Sequence, residues 1–218
     1  MSTLAERYAQ VKASLSPGVQ LIAVSKTRSV LEIKALYDLG HRAFGENYPQ
    51  ELAEKQPQLP GDIQWHFIGH LQTNKVKLIA PFVHLVHAAD SERLLDELDK
   101  RAKDRAIDVL LQAHIAREET KHGLSPEALK ELVTAWAPGR WPNVRLRGLM
   151  GMATNTDDRT QVQREFEALR DLFHEVKALR SDARFTELSM GMTGDADLAM
   201  AAGSTMVRIG TAIFGERG

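Results

Sequence analysis

Three short stretches of this chain carry side chains that could act together on a phosphorylated aldehyde. Lys26 ends the apolar run Leu21-Ile22-Ala23-Val24-Ser25. A buried parallel strand is continuously apolar, so an amine at its exit needs a reason. It is either a surface lysine opening a loop or an amine held at a barrel rim, partly desolvated, less basic and able to form an imine. The second stretch is Ser189-Met190-Gly191 and the third is Arg208-Ile209-Gly210-Thr211. Small residues there expose backbone N–H groups, Ser189 and Thr211 add hydroxyls, and a helix opening near Thr193-Gly194-Asp195 adds its positive end. The same residues also occur in ordinary turns.

The elements that would position these groups are legible as alternating apolar runs and amphipathic segments. Strands are predicted over residues 19–25, 42–45, 65–69, 84–88, 108–115, 145–150, 187–190 and 206–209. Between them, Ser29-Val30-Leu31-Glu32 has capping-box spacing and leads a helix that stops at Gly40. Ser125-Pro126 places an N-cap before a proline at the first helical position. Val162, Phe166, Leu169, Phe173 and Val176 make one buried stripe on a long helix. Eight strand–helix repeats after an extra helix over residues 4–15 predict a (β/α)8 TIM barrel, one domain spanning 1–218. Such barrels typically take ~250 residues, so this one is expected to be compact. No G-x-G-x-x-G turn follows the first strand to favour an open doubly wound sheet.

Composition narrows the function. The 218 residues carry a formal charge of −1 and no cysteine, which excludes disulfide and thiolate chemistry and fits a reducing cytosol. No run approaches the roughly 18 apolar residues of a membrane span, and no leader pattern opens the chain. The charges from Lys100 to Arg105 read as a solvated helix face, not a nucleic-acid surface. A soluble, cytoplasmic protein is expected, with neither nucleic acid nor membrane as partner.

The segments AVSKT, FGENYPQE, WHFIGHLQTNK, GLMGM, LSMGMTGD and STMVRIGTAIFG, in this order and spacing, resemble the pyridoxal phosphate homeostasis protein family, also called YggS-like or proline synthetase co-transcribed. The resemblance runs from about Leu21 to Gly215. It implies a barrel like the N-terminal domain of alanine racemase, with pyridoxal 5'-phosphate (PLP) held as a Schiff base on Lys26. It further implies that Ser189, Gly210 and Thr211 hold the phosphate and that Arg208 faces the pyridine nitrogen. Asn47, His66 and Met150 would line the ring. His114 stands where this family is expected to carry Asn. The implied role is buffering or delivery of PLP to recipient apo-enzymes, in vitamin B6 and amino-acid homeostasis, by a monomer.

The residues bear on what chemistry such a site could do. A guanidinium offers only donors, so Arg208 at the pyridine nitrogen would keep the ring neutral and weaken carbanion stabilisation. That disfavours transamination and decarboxylation. Racemisation needs an acid–base group on each face; alanine racemase receives its tyrosine from a further domain of a partner subunit. Here only Tyr48, beside Asn47, is near the predicted site, and it reads equally as a helix-start packing residue. A PLP-dependent racemase or lyase is therefore the alternative, and an imine-forming aldolase a third. His66 and His70 lie four apart in strand geometry, unlike the helical zinc pair, and no metal site is expected. His84 and His87 read as packing residues. The polar loop 117–123 reads as a connector or a gate.

Overall fold

The structure, a computed structural model, describes residues 2–102, 105–118, 122–137, 139–180 and 182–216. Eight parallel strands close into a barrel in chain order: β1 (Gln20–Val24), β2 (Ala43–Glu46), β3 (Gln64–Phe67), β4 (Leu85–Ala89), β5 (Ile107–Gln112), β6 (Val144–Met150), β7 (Glu187–Met192) and β8 (Met206–Ile209). Closure comes from β8 pairing with β1, with Ile22 opposite Arg208.

Strand alternation sorts the side chains into two layers. Ile22, Ala43, Leu85, Ala88, Leu110, Met150 and Met206 pack together inside the ring. Leu21, Phe44, Trp65, Phe67, Val109, Leu149 and Val207 belong to the larger cluster beneath the helices. The long helix α7 (Arg159–Arg180) buries the stripe read from the sequence, together with Glu165 and Leu172. Ser29 and Glu32 form the capping box of α2 (Val30–Asp38), and Ser125 caps α6 (Pro126–Thr134) with Pro126 at its start. The leading helix α1 (Leu4–Ala13) carries a second capping box, Thr3 with Glu6. Arg7 Nε donates to Ile213 O at 2.8 Å, which ties α1 to the final turn α9 (Thr211–Phe214).

Three strands stop earlier than predicted, β1 by one residue at Val24 and two others for a local reason. β3 ends at Phe67, not 69, because Gly69 is pressed against the backbone of Asn47; a Cβ there would lie 2.4 Å from Asn47 O. β5 ends at Gln112, not 115. After it Ala113 bridges to Leu124, and Gly123 takes a positive φ of 136°. Among the described residues no helix is long and apolar enough to cross a membrane.

Candidate functional site

The C-terminal ends of β1, β7 and β8 are neighbours once the barrel closes. A cavity of about 150 Å³ opens there, lined by Val24, Lys26, Arg28, Met192, Thr193, Arg208, Gly210 and Thr211. Four residues singled out in the sequence, Lys26, Arg208, Gly210 and Thr211, thus share one wall. Gly210 caps α9, and the first N–H groups of such a turn have no intrahelical partner. Thr193 offers a further hydroxyl. Arg28 and Met192 were not anticipated; their only sequence signal is adjacency to the lysine and to the glycine turn.

Lys26 is half-buried and held from both sides. Ser25 Oγ donates to Glu46 Oε1 at 2.6 Å, and Ser25 O accepts from Lys55 Nζ at 2.9 Å. Thr27 N–H donates to Glu51 Oε1 at 2.6 Å. Lys55, on α3 (Pro49–Lys55), joins this cluster by bonds of 2.8 Å to Glu46 and 2.6 Å to Glu51. Glu46 has no exposed surface; burial pushes its carboxyl up while Lys55 and Ser25 draw it back down. Thr27 sits at φ 63°, a left-handed conformation that costs a β-branched residue energy and is kept only where neighbours enforce it. The Glu46–Lys55–Glu51 cluster supplies that enforcement, so the lysine is presented at a fixed kink.

Arg208 is equally fixed. It is buried on β8, where Nη1 donates to Ser189 Oγ at 2.7 Å and Nη2 to Gly151 O at 3.2 Å. Burial pulls its pKa down to about 10, with Asp195 opposing, which still leaves a cation at neutral pH. Ser189 Oγ also lies 3.0 Å from His87 Nδ1, and His87 Nε2 lies 2.9 Å from His66 Nδ1. The guanidinium can only donate, and His87 Nδ1 is the one other partner of Ser189 Oγ among the described residues, so giving the buried hydroxyl proton an acceptor assigns the direction of the whole chain. Ser189 accepts from Arg208 and donates to His87, and His87 donates to His66. His66 then keeps its proton on Nε2, a buried atom with no partner among the described residues. Burial holds both imidazoles neutral: His66 falls to about 3, and His87 falls well below the usual range.

Four further predicted residues lie outside the lining of this cavity. Ser189 has no exposed surface and its hydroxyl is engaged with Arg208 and His87, so it supports the arginine from below while Thr193 stands at the cavity wall. His66 lies inside the ring beside His84 and His87 and, among the described residues, connects to the cavity through His87, Ser189 and Arg208. Met150 packs among the interior apolar residues as part of the barrel filling. Asn47 packs against Gly69, its Oδ1 buried and without a partner among the described residues. His87, read as a packing residue, is a buried link in the polar chain. His114 lies outside this cavity, its Nε2 2.9 Å from Glu118 O, beside a separate space of about 540 Å³ that reaches α7. The loop 117–123 falls partly outside the described residues. Tyr48 precedes α3 with no side-chain cap bond and is 53% exposed.

Comparison with known proteins follows this geometry. A family model of the alanine racemase N-terminal domain matches residues 1–218. The chain is 38% identical to the pyridoxal phosphate homeostasis protein of Pasteurella multocida, over 99% of this chain and 98% of that one. It is also 38% identical to the Escherichia coli K12 protein of the same name, over 100% and 98% of the two chains. Among solved structures it is similar to PipY of Synechococcus elongatus, at 35% identity over 98% of this chain and 100% of that one. The TM-score is 0.91 for PipY without PLP and 0.86 for PipY with PLP bound. Alanine racemase from E. faecalis shares the fold alone, at 18% identity and a TM-score of 0.74, with this chain spanning 58% of its length.

Proposed function

The chain belongs to the alanine racemase N-terminal domain family and, within it, to the pyridoxal phosphate homeostasis proteins, and we propose that it carries PLP as a Schiff base on Lys26 and buffers or delivers it inside the cell. One observation carries this reading: the cavity that joins Lys26 to Arg208, Gly210 and Thr211. An amine, a ring-facing donor and a phosphate cradle are the three things this cofactor requires of a protein. The buried polar chain beneath Arg208 fits the same group, since it fixes a cation where a pyridine nitrogen would accept.

The roles divide among the chain's own residues. Lys26 Nζ adds to the aldehyde carbon, the carbonyl oxygen leaving as water, and Ser25 and Thr27 keep the amine aimed. Gly210, Thr211 and Thr193 hold the phosphate. Arg208 donates toward the ring and stays protonated, because Ser189 and Gly151 satisfy two of its nitrogens. When bound, PLP supplies an electrophilic carbon and an electron-accepting ring, and a donor at its nitrogen limits the second property.

A racemase would need a second acid–base group on the open face. Among the described residues no tyrosine lines the cavity: Tyr8 is engaged with His41, Tyr37 with Asp62, and Tyr48 stands exposed before α3. A carrier, one cofactor-binding barrel over 1–218 acting as a cytosolic monomer with apo-enzymes as recipients, accounts for these features better than a racemase. The test is borohydride reduction of the purified protein followed by peptide mass mapping. The phosphopyridoxyl group is expected on the Lys26 peptide, with Lys26→Ala protein colourless. Label elsewhere, or proton exchange at an amino-acid Cα at an enzymatic rate, would overturn the proposal.

A further inference from the structure

The rim opposite the lysine cavity carries a second constellation. The cavity lies where β7, β8 and β1 end, so β3, β4 and β5 end across the ring. Three chemistry-bearing side chains meet there: His70 after β3, Asp90 after β4 and His122 after β5. One nitrogen from each imidazole and a carboxylate oxygen all lie within 4.8 Å of one another. In the sequence His70 pairs with His66, four residues away in strand geometry. The fold pairs it with two residues that are remote in sequence.

An exposed His–Asp contact alone is a surface ion pair that contributes little. Here the third residue is placed by its own scaffold. His122 O accepts from Gln112 Nε2 at 2.8 Å, and Gln112 is itself buried at the end of β5. The next residue, Gly123, could not bear a side chain, because a Cβ would lie 2.7 Å from His114 N. Leu124 N–H then donates to Gln112 O, and His114 N–H to Leu124 O, each at 2.8 Å. The backbone that carries His122 is thus pinned to the sheet, while the imidazole stacks on His70 with ring centroids 4.3 Å apart.

We propose that His70, Asp90 and His122 bind a borderline first-row divalent cation such as Zn²⁺. Two imidazole nitrogens and a carboxylate are a donor set that such ions take, with a position left open. With bonds of about 2.0–2.1 Å, tetrahedral ligand atoms sit about 3.3 Å apart. His70 Nδ1 and Asp90 Oδ2 are already 3.3 Å apart. The widest separation needs to close by at most about 1.5 Å, and the two imidazoles, stacked with ring planes 17° apart, must rotate until both planes meet at the ion, motions open to side chains at an exposed site. The His70 side chain is 44% exposed, so entry is open. Bound there, the ion would cross-link three strand exits and hold the β5–α6 connection against the barrel mouth.

The test is calorimetric titration of full-length, untagged, PLP-loaded protein with Zn²⁺, repeated with Co²⁺ for its visible bands. One ion per chain is expected. His70→Ala, His122→Ala and Asp90→Asn should each weaken binding by more than the roughly tenfold to hundredfold that loss of an outer partner costs a metal site. Surface His174→Ala, and Lys26→Ala titrated in its PLP-free form, should leave it unchanged, and Zn²⁺ should raise the Tm of the parent but of none of the three ligand variants. Circular dichroism identifies any variant that misfolds, and the remaining two then decide. Binding that survives the ligand substitutions, that depends on Lys26 or that is absent would overturn the proposal.

Discussion

Mild acid should destabilise this protein, and the size of the effect follows from three imidazoles. His41, His66 and His87 are buried, and burial pulls His41 to about 4, His66 to about 3 and His87 well below its ordinary range. The unfolded chain takes up their protons near pH 6.5, whereas the folded chain does not, so stability falls as pH drops through that value. The loss continues until the folded pKa is reached. At about pH 5 each imidazole has removed about 2 kcal/mol, a figure set by the unfolded pKa alone once the folded one is well below 5. Together the three remove about 6 kcal/mol, a large share of the 5–15 kcal/mol typical of a folded domain. Glu46 works in the opposite sense, because its raised carboxyl takes up a proton earlier folded than unfolded; it trims the loss without cancelling it. Urea unfolding followed by emission of the buried Trp65 and Trp141 at about pH 7.5 and about pH 5 measures the difference. His87→Gln should lower the slope near pH 5.5 from about 4 to about 3 kcal/mol per pH unit. If stability changes by less than about 1 kcal/mol over this range, the imidazoles are not held neutral and the assigned polar chain is wrong.

Four other substitutions probe the site and its supports. Lys55→Met strands the buried Glu46 and should cost about 3–5 kcal/mol, which is about 6–20 °C in Tm for a chain of this size. Adding Glu46→Leu should recover much of that loss in calorimetry. Gly191→Ala places a Cβ 2.5 Å from Ala199 Cβ at a φ of 92°, just before the Met192-Thr193 wall; strain and overpacking together should cost about 3 kcal/mol in urea unfolding. Arg208→Glu exchanges a donor for an acceptor at the ring position. The cofactor's absorption maximum should shift while attachment to Lys26 survives borohydride trapping, and an unchanged spectrum would remove Arg208 from the ring.

The sequence carried the barrel and the cavity's four shared residues for a simple reason. Lys26, Arg208, Gly210 and Thr211 are conspicuous at strand ends, and strand ends are where a barrel gathers its chemistry. What lay deeper was hidden by the third dimension. Ser189 looks like a turn hydroxyl in LSMGM, yet strand alternation turns it inward, where its distance from His87 decides its role. His66 and Met150 face the interior by the same alternation, and no local pattern distinguishes a ring-lining side chain from one that fills the barrel below. The grip on Lys26 was equally silent, because Glu51 and Lys55 lie on a helix whose docking against Ser25 and Thr27 is a tertiary event. His122 meets His70 and Asp90 only because three strand exits converge.

Lys26 and Arg208 stand at opposite extremes of the chain, yet their strands are ladder partners. The seam between β1 and β8 can therefore close only after residues 206–211 have left the ribosome. Until residues 206–211 arrive, the lysine is present without its cationic neighbour or its anion cradle, and an emerging chain has little means of retaining a reactive aldehyde. On the proposed attachment to Lys26, loading with the vitamin would report that synthesis has passed the eighth strand and the circle has shut.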